Sequence, residues 1–190
     1  MLAVVYVCEE VLGENEEACA CRRKGLGAAW SLEPGAWSKD QVARSISEAA
    51  PRHYILKIMS FSSLAKTGIE KYESEEFDAG GYKWTIQLFP KGRRHGSGTH
   101  ISIYLALVDS DTPKDGSKIF AEFTLRMKDQ QQSRHIAGKV SHWFSESSKE
   151  SGWEKFVSLA YFYHTSSGCL VNDTCTVEAE VTVHAVAHTL

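Results

Sequence analysis

Apolar and polar positions alternate most strictly in the segment between residues 82 and 109. In the run HISIYLALVD, one face carries Ile101, Ile103, Leu105 and Leu107. Strict period-two alternation predicts a strand that is buried on one side. The preceding run, YKWTIQLF, has the same pattern, and a turn rich in glycine, arginine and serine separates the two runs. The sequence therefore predicts an antiparallel hairpin.

Further runs of this kind recur along the chain between turns made of Gly, Pro and Asp. The predicted strands cover residues 54–61, 73–77, 82–89, 101–109, 118–127, 136–144 and 175–183. A series of short strands at roughly ten-residue spacing is typical of an all-β, antiparallel sandwich. We therefore predict this fold class for the chain.

Two segments have helical features instead. Ser38 and Gln41 have the spacing of a capping box, which predicts a short helix over residues 39–49 that ends before Pro51. Trp153 and Phe156 lie at helical spacing with their neighbours, which predicts one or two helical turns within residues 152–161.

These features divide the chain into three parts. Residues 1–50 form an N-terminal extension, largely irregular apart from the predicted helix, in which acidic, basic and glycine clusters follow one another. Residues 51–184 form the sandwich domain, and residues 185–190 are expected to be a C-terminal tail.

Composition narrows the choice of compartment and partner. A formal net charge of −3 gives no basic excess for binding nucleic acid. No apolar run approaches the roughly 20 residues that cross a bilayer, so no membrane association is expected. The five cysteines form no regular framework, which favours a reducing compartment. We expect a cytoplasmic location, with the nucleus as the other option.

Candidate catalytic and metal-binding patterns are weak. His184 and His188 lie near the chain end with no obvious third ligand, and Cys19 and Cys21 are too close in sequence for a zinc knuckle. The loop GRRHGSG at residues 92–98 lacks the P-loop pattern and a following helix. We therefore predict no cofactor, no metal site and no enzymatic activity.

Several ordered motifs resemble a known family. These are YILKI and SF within residues 54–61, GGYKW at 80–84, FPKG at 89–92, ISIYL at 101–105, GWEKF at 152–156 and GCLVNDTCTVEAE at 168–180. Over roughly residues 51–183 the chain resembles the MATH domain (meprin and TRAF homology). The similarity is to plant TRAF-like MATH proteins and to the MATH module that heads certain ubiquitin carboxyl-terminal hydrolases.

The resemblance implies an eight-stranded antiparallel sandwich that binds short extended peptides of partner proteins in a shallow groove lined by aromatic side chains. Tyr104 matches a tyrosine of the family's central strand, and the alternation also sends this aromatic toward solvent. Trp143 and Trp153 match aromatic positions before and after the groove loop.

Two positions depart from the family pattern. Ser151 stands where the best-known adaptors commonly have tryptophan. A common phenylalanine aligns with either Ala121 or Phe120, and alternation favours Phe120 as the outward residue. The predicted peptide site is therefore Tyr104, Phe120, Trp143, Ser151 and Trp153, with a specificity different from that of the ligase adaptors.

Three functions remain open from the sequence. The first is a non-catalytic module that recruits partner proteins through short peptides, in a ubiquitin-related setting. The second is the substrate-recognition head of a deubiquitinase without its catalytic domain. The third is a structural module that forms a homo-oligomer through its sheet edges.

Overall fold

Antiparallel strands make up most of the part of the chain that the structure describes. A computed structural model describes residues 7–10, 42–46, 51–113 and 116–189. In chain order the strands are β1 (Val7–Glu10), β2 (Val42–Ile46), β3 (Arg52–Met59), β4 (Tyr72–Glu73), β5 (Phe77–Ala79), β6 (Tyr82–Phe89), β7 (His100–Leu107), β8 (Lys118–Met127), β9 (Ile136–Phe144), β10 (Glu150–Ser158) and β11 (Thr174–Thr189). Two short helices, α1 (Phe61–Lys66) and α2 (Leu159–Phe162), lie in connections.

The strands form two sheets. One has the order β1-β3-β11-β8-β9, with β2 paired to the remaining length of β11. The other has the order β10-β7-β6-β4, with β5 also paired to β6. Between them lies one apolar core, in which Leu56, Trp84, Ile103 and Leu125 are fully buried. The sandwich predicted from the alternation is confirmed.

Both sides of the sandwich are closed by aromatic contacts between the sheets. On one side the rings of Tyr54 and Phe77 are stacked with their centroids 4.3 Å apart. On the other side Trp153 of β10 lies over Gly138 of β9. Strands β9 and β10 are therefore the edges that meet along this second side.

The register agrees with the alternation over most of the domain. Strand β8 has the predicted limits, and β6 and β7 form the predicted hairpin. Residues 72–79 form two short pieces, β4 and β5, instead of one strand. If these count as one, residues 51–189 contain eight strands, and β1 and β2 are added from the N-terminal part.

The predicted helix at residues 39–49 is wrong where the chain is described. Residues 42–46 form β2, which pairs with residues 185–189 of β11. Strand β11 extends beyond the part that pairs with β3, and its exposed edge can accept another strand there. Long-range backbone pairing therefore overrides the local helix signal. The same pairing means that residues 185–189, expected as a tail, continue β11.

The predicted helical turns at residues 152–161 are also mostly wrong. Residues 150–158 form β10, and only Leu159–Phe162 is helical. The register of β10 against β7 shifts between Trp153 and Val157. This irregularity breaks the period of two, so that apolar side chains within a strand fall at helix-like spacing.

The described part of the chain contains no helix long and apolar enough to span a membrane.

Candidate peptide-binding edge

Strand β10 presents an unpaired backbone edge. Within the described residues, β7 is its one strand partner. The Leu107 N–H donates to the Lys149 carbonyl at 2.9 Å, and Glu150 stands opposite Ala106. Lys149 and Leu107 therefore form a hydrogen-bonded pair of the antiparallel ladder. Such pairs recur at every second residue, so the N–H and C=O groups of Ser151 also point toward β7. The corresponding groups of Glu150 and Gly152 therefore point away from the sheet, toward the free edge.

Trp153 closes the side of the sandwich next to this edge. It stands opposite Ile103, so its side chain lies on the inner face of β10. Its ring centroid lies 5.9 Å from that of Phe123 and 5.6 Å from that of Phe156. A Cβ atom on Gly138 would lie 2.5 Å from Cζ2 of Trp153. Gly138 is thus required for this close approach of β9 and β10.

His142 and Ser151 complete the inner side of this edge. His142 alternates inward on β9, and its Nε2 lies 2.9 Å from the Ser148 hydroxyl. Its ring packs edge-on against Phe144, and burial lowers the pKa of His142. The imidazole is therefore neutral at physiological pH. Ser151, opposite Leu105, also faces inward.

The outer side of β10 is tied to the loop between β6 and β7. Arg93 forms an ion pair with Glu150, with 2.5 Å between nitrogen and oxygen. His95 Nδ1 lies 2.7 Å from the Glu154 carboxylate, and this hydrogen bond lowers the pKa of Glu154. Both carboxylates are thus engaged within the domain, and the lowered pKa keeps Glu154 ionised at neutral pH.

Tyr104 does not have the exposure predicted for it. It lies on the outer face of β7, as the alternation requires, but it is only 7% exposed. Its ring contacts Phe89 edge-on, and the guanidinium of Arg93 lies 5.2 Å from its centroid. Arg93, in the loop after β6, therefore covers the tyrosine that the sequence predicts to be exposed to solvent.

Phe120 and Trp143 lie on the opposite side of the molecule. They are directly opposite each other on β8 and β9, with ring centroids 4.9 Å apart. Both point away from the core, as alternation predicts for Phe120, whereas Ala121 is fully buried. Trp143 is 39% exposed.

The five predicted site residues therefore occupy three places. Tyr104 lies on the outer face of one sheet, Phe120 and Trp143 on the outer face of the other, and Ser151 and Trp153 on the inner side of β10. One shallow groove cannot include all of them. Sequence reasoning missed Gly138, although a glycine inside a predicted strand is a signal for close approach.

Other chemistry is weakly represented in the described residues. They contain no group of three or more His, Cys, Asp or Glu arranged to hold a metal ion. Cys169 and Cys175 are buried free thiols, and burial raises the pKa of each. Both are protonated at neutral pH and unsuited to nucleophilic attack.

Sequence comparison identifies the domain. The family model described as "MATH domain" matches residues 53–181. The chain belongs to the MATH domain family. The match lies within the sandwich and includes β10, its free edge and the Trp153–Gly138 contact.

Relatives and a solved structure agree with this family. The chain is 36% identical over 125 residues to ubiquitin C-terminal hydrolase 12 of Arabidopsis thaliana, covering 65% of this chain and 11% of that protein. It is 31% identical over 141 residues to TNF receptor-associated factor homolog 1b of the same plant, covering 68% and 12%. It thus spans about a tenth of these relatives. Notothenia coriiceps TRAF5 has the same fold, with a TM-score of 0.54 and 23% identity, over 68% of this chain and 72% of that one.

Proposed function

We propose that this MATH domain is a non-catalytic module that binds a short extended peptide of a partner protein along the free edge of β10. The observation that carries the proposal is the outward direction of the Glu150 and Gly152 backbone groups. A peptide added as a strand would satisfy these groups with main-chain hydrogen bonds.

The inner side chains at this edge favour the same function. Peptide side chains that alternate inward would meet Ser151, Trp153 and His142 at the seam between the sheets. A partly exposed tryptophan held between Phe123 and Phe156 offers a rigid apolar contact at little ordering cost. The edge is short, so we expect an affinity in the micromolar range or weaker.

A matched pair of variants at Glu150 tests the edge. Peptides are first selected from a phage-displayed library of random peptides on the purified chain. Glu150→Pro removes one outward N–H, whereas Glu150→Ala removes the ion pair with Arg93 and retains that N–H. Glu150→Pro should bind the selected peptides with an affinity about fivefold or more lower than that of Glu150→Ala. Gly152 is unsuitable, because a Cβ there would lie 2.2 Å from the Ile103 carbonyl oxygen.

Isothermal titration provides the affinities, and urea unfolding checks that both variants remain folded. Trp153→Leu should also weaken binding, since it removes the aromatic contact at the seam. Selected peptides that bind both Glu150→Pro and Trp153→Leu with wild-type affinity would show that they bind elsewhere.

A second candidate is the substrate-recognition part of a deubiquitinase. The 36% identity to ubiquitin C-terminal hydrolase 12 favours it. We expect no hydrolysis of a ubiquitin-amide reporter by the purified chain in either case. Sequencing of the full transcript distinguishes the two, because a deubiquitinase transcript continues into a catalytic domain with Cys and His boxes.

A further inference from the structure

The outer face of the smaller sheet contains a hollow between two rims. Its floor consists of Thr85 and Gln87 of β6 and Ala106 of β7, each no more than 9% exposed. One rim belongs to the segment 71–76, and the other to the turn from β9 into β10, at 146–150. The volume is about 800 Å³, which is within the range of roughly 300–1,000 Å³ that is common for ligand sites.

Gln87 presents a hydrogen-bond acceptor on the floor of the hollow. Its Nε2 donates to Glu73 Oε1 at 3.2 Å, and the Thr85 hydroxyl donates to the same oxygen at 3.0 Å. An ionised carboxylate only accepts hydrogen bonds, so this contact turns the amide nitrogen of Gln87 toward Glu73. The Gln87 Oε1 then has no hydrogen-bond donor among the described residues, although the side chain is 9% exposed. This oxygen can therefore accept a hydrogen bond from a bound partner.

The sides of the hollow carry more negative than positive charge. Six carboxylates and two lysines line it. Four of the carboxylates are in ion pairs, which are Lys71–Glu73, Lys83–Glu76, Lys149–Asp109 and Arg93–Glu150. The carboxylates of Glu75 and Glu146 have neither an ion pair nor a hydrogen bond within the described part of the chain. One unpaired negative charge therefore remains on each rim.

The arrangement of these acceptors indicates the chemistry of the ligand. The described residues contain no group of three or more His, Cys, Asp or Glu that could hold a metal ion, so a bare cation has no ligand set here. A ligand that satisfies both the floor and the rims has to be cationic, extended and rich in N–H donors. The guanidinium of arginine is permanently charged and carries five such donors in one plane.

We propose that the hollow binds an arginine-containing, basic segment of a partner protein. One guanidinium enters above Ala106, whose small side chain leaves room, and donates to Gln87 Oε1. Further positive charge in the segment is attracted by Glu75 and Glu146. The edge of β10 offers backbone groups and the inner side chain of Trp153, so the hollow is a second binding surface on the other face of the same sheet.

A pair of short peptides tests the hollow. The probe is N-acetylated, C-amidated tetra-arginine, and its control is the citrulline peptide of equal length, which has nearly the same shape and no charge. Isothermal titration at low ionic strength should give the arginine peptide an affinity at least about tenfold higher than that of the citrulline peptide. In NMR spectra the methyl signal of Ala106 should shift on binding, whereas the indole N–H signal of Trp153 should not.

Charge-matched variants separate the hollow from general attraction. The exposed pair Glu75→Gln, Glu146→Gln should lower the affinity for the arginine peptide about fivefold or more. Glu70→Gln, Glu122→Gln removes the same charge outside the hollow and should change the affinity less than about twofold. Gln87→Met keeps the length and the charge but removes the acceptor, and should also lower the affinity several-fold. Urea unfolding checks that each variant is folded.

Three results would overturn the proposal. The first is equal affinity for the arginine and citrulline peptides, and the second is an equal loss of affinity in the two double variants. The third is a shift of the Trp153 indole signal without a shift at Ala106, because the peptide would then lie along the edge of β10. That third result would leave the proposed function of the β10 edge intact, so the two proposals can fail separately.

Discussion

The hydroxyl of Tyr104 lies inside the protein without a hydrogen-bond partner among the described groups. Burial also raises the pKa of this phenol. Alternation identifies its face correctly, but it cannot show that Arg93 and Phe89 will cover the ring. Tyr104 thus packs within the outer face of the sheet, and its buried, unpaired hydroxyl lowers the stability of the folded state.

Two substitutions at Tyr104 separate the ring from its hydroxyl. Tyr104→Phe removes a buried, unpaired polar atom, so it should leave stability unchanged or increase it by about 1 kcal/mol. Tyr104→Ala removes the ring beneath Arg93 and should cost about 3–5 kcal/mol. Urea unfolding measures both. A Phe variant that loses more than about 1 kcal/mol would mean that the hydroxyl has a partner in solution.

At the scale of elements, the turn between β8 and β9 depends on Asp129. Its carboxylate accepts hydrogen bonds from the backbone N–H groups of Gln131 and Gln132, each at 2.9 Å, and from that of Arg134 at 3.3 Å. The first two bonds are the main reason that the pKa of Asp129 is lowered. A short polar side chain thereby fixes the turn that sets the register of β9.

The lowered pKa of Asp129 predicts how stability varies with pH. The ionised carboxylate contributes stability above the ordinary aspartate pKa of about 3.9, and this contribution is lost as pH falls through the lower folded value. Asp129→Asn should therefore be less stable than wild type at neutral pH, and the difference should shrink in acid. Thermal unfolding across pH measures it. A difference that stays constant would exclude a charge effect.

Element type could be predicted wherever one face of a strand is buried and the other is not. Strand β8 is the clear example, because Ala121, Phe123, Leu125 and Met127 all face the core. The prediction failed at β10, where the bulge hides the alternation, and at β2, whose strand depends on the distant edge of β11. Periodicity assigns faces within a strand. It does not show which sheet the strand joins, so it cannot test the single groove that the family resemblance implies for Tyr104 and Phe120, which lie in different sheets.

At the scale of the whole molecule, the contact between Trp153 and Gly138 joins the two sheets beside the candidate peptide edge. The indole occupies the space where a side chain on β9 would lie. Any change in this contact alters the separation of the sheet edges at that point. The same contact thus links the stability of the sandwich to the geometry of the edge.

A double-mutant cycle tests this link. Gly138→Ala places a methyl group against the indole and should cost about 1–3 kcal/mol. In a Trp153→Leu background the same substitution should cost less than about 1 kcal/mol, since the side chain that it contacts is smaller. Urea titrations of the four proteins give the interaction energy. Additive costs would show that Gly138 is required for a reason unrelated to Trp153.

The pairing of β2 with the last residues of β11 has a mechanical consequence. Val42 and Thr189 are neighbours on antiparallel strands, so a force that separates these two residues acts on one end of the ladder. The bonds between β2 and β11 would then break one after another, not together. Tension applied at this point should peel β2 away at low force, while β3, β11 and β8 remain paired behind it.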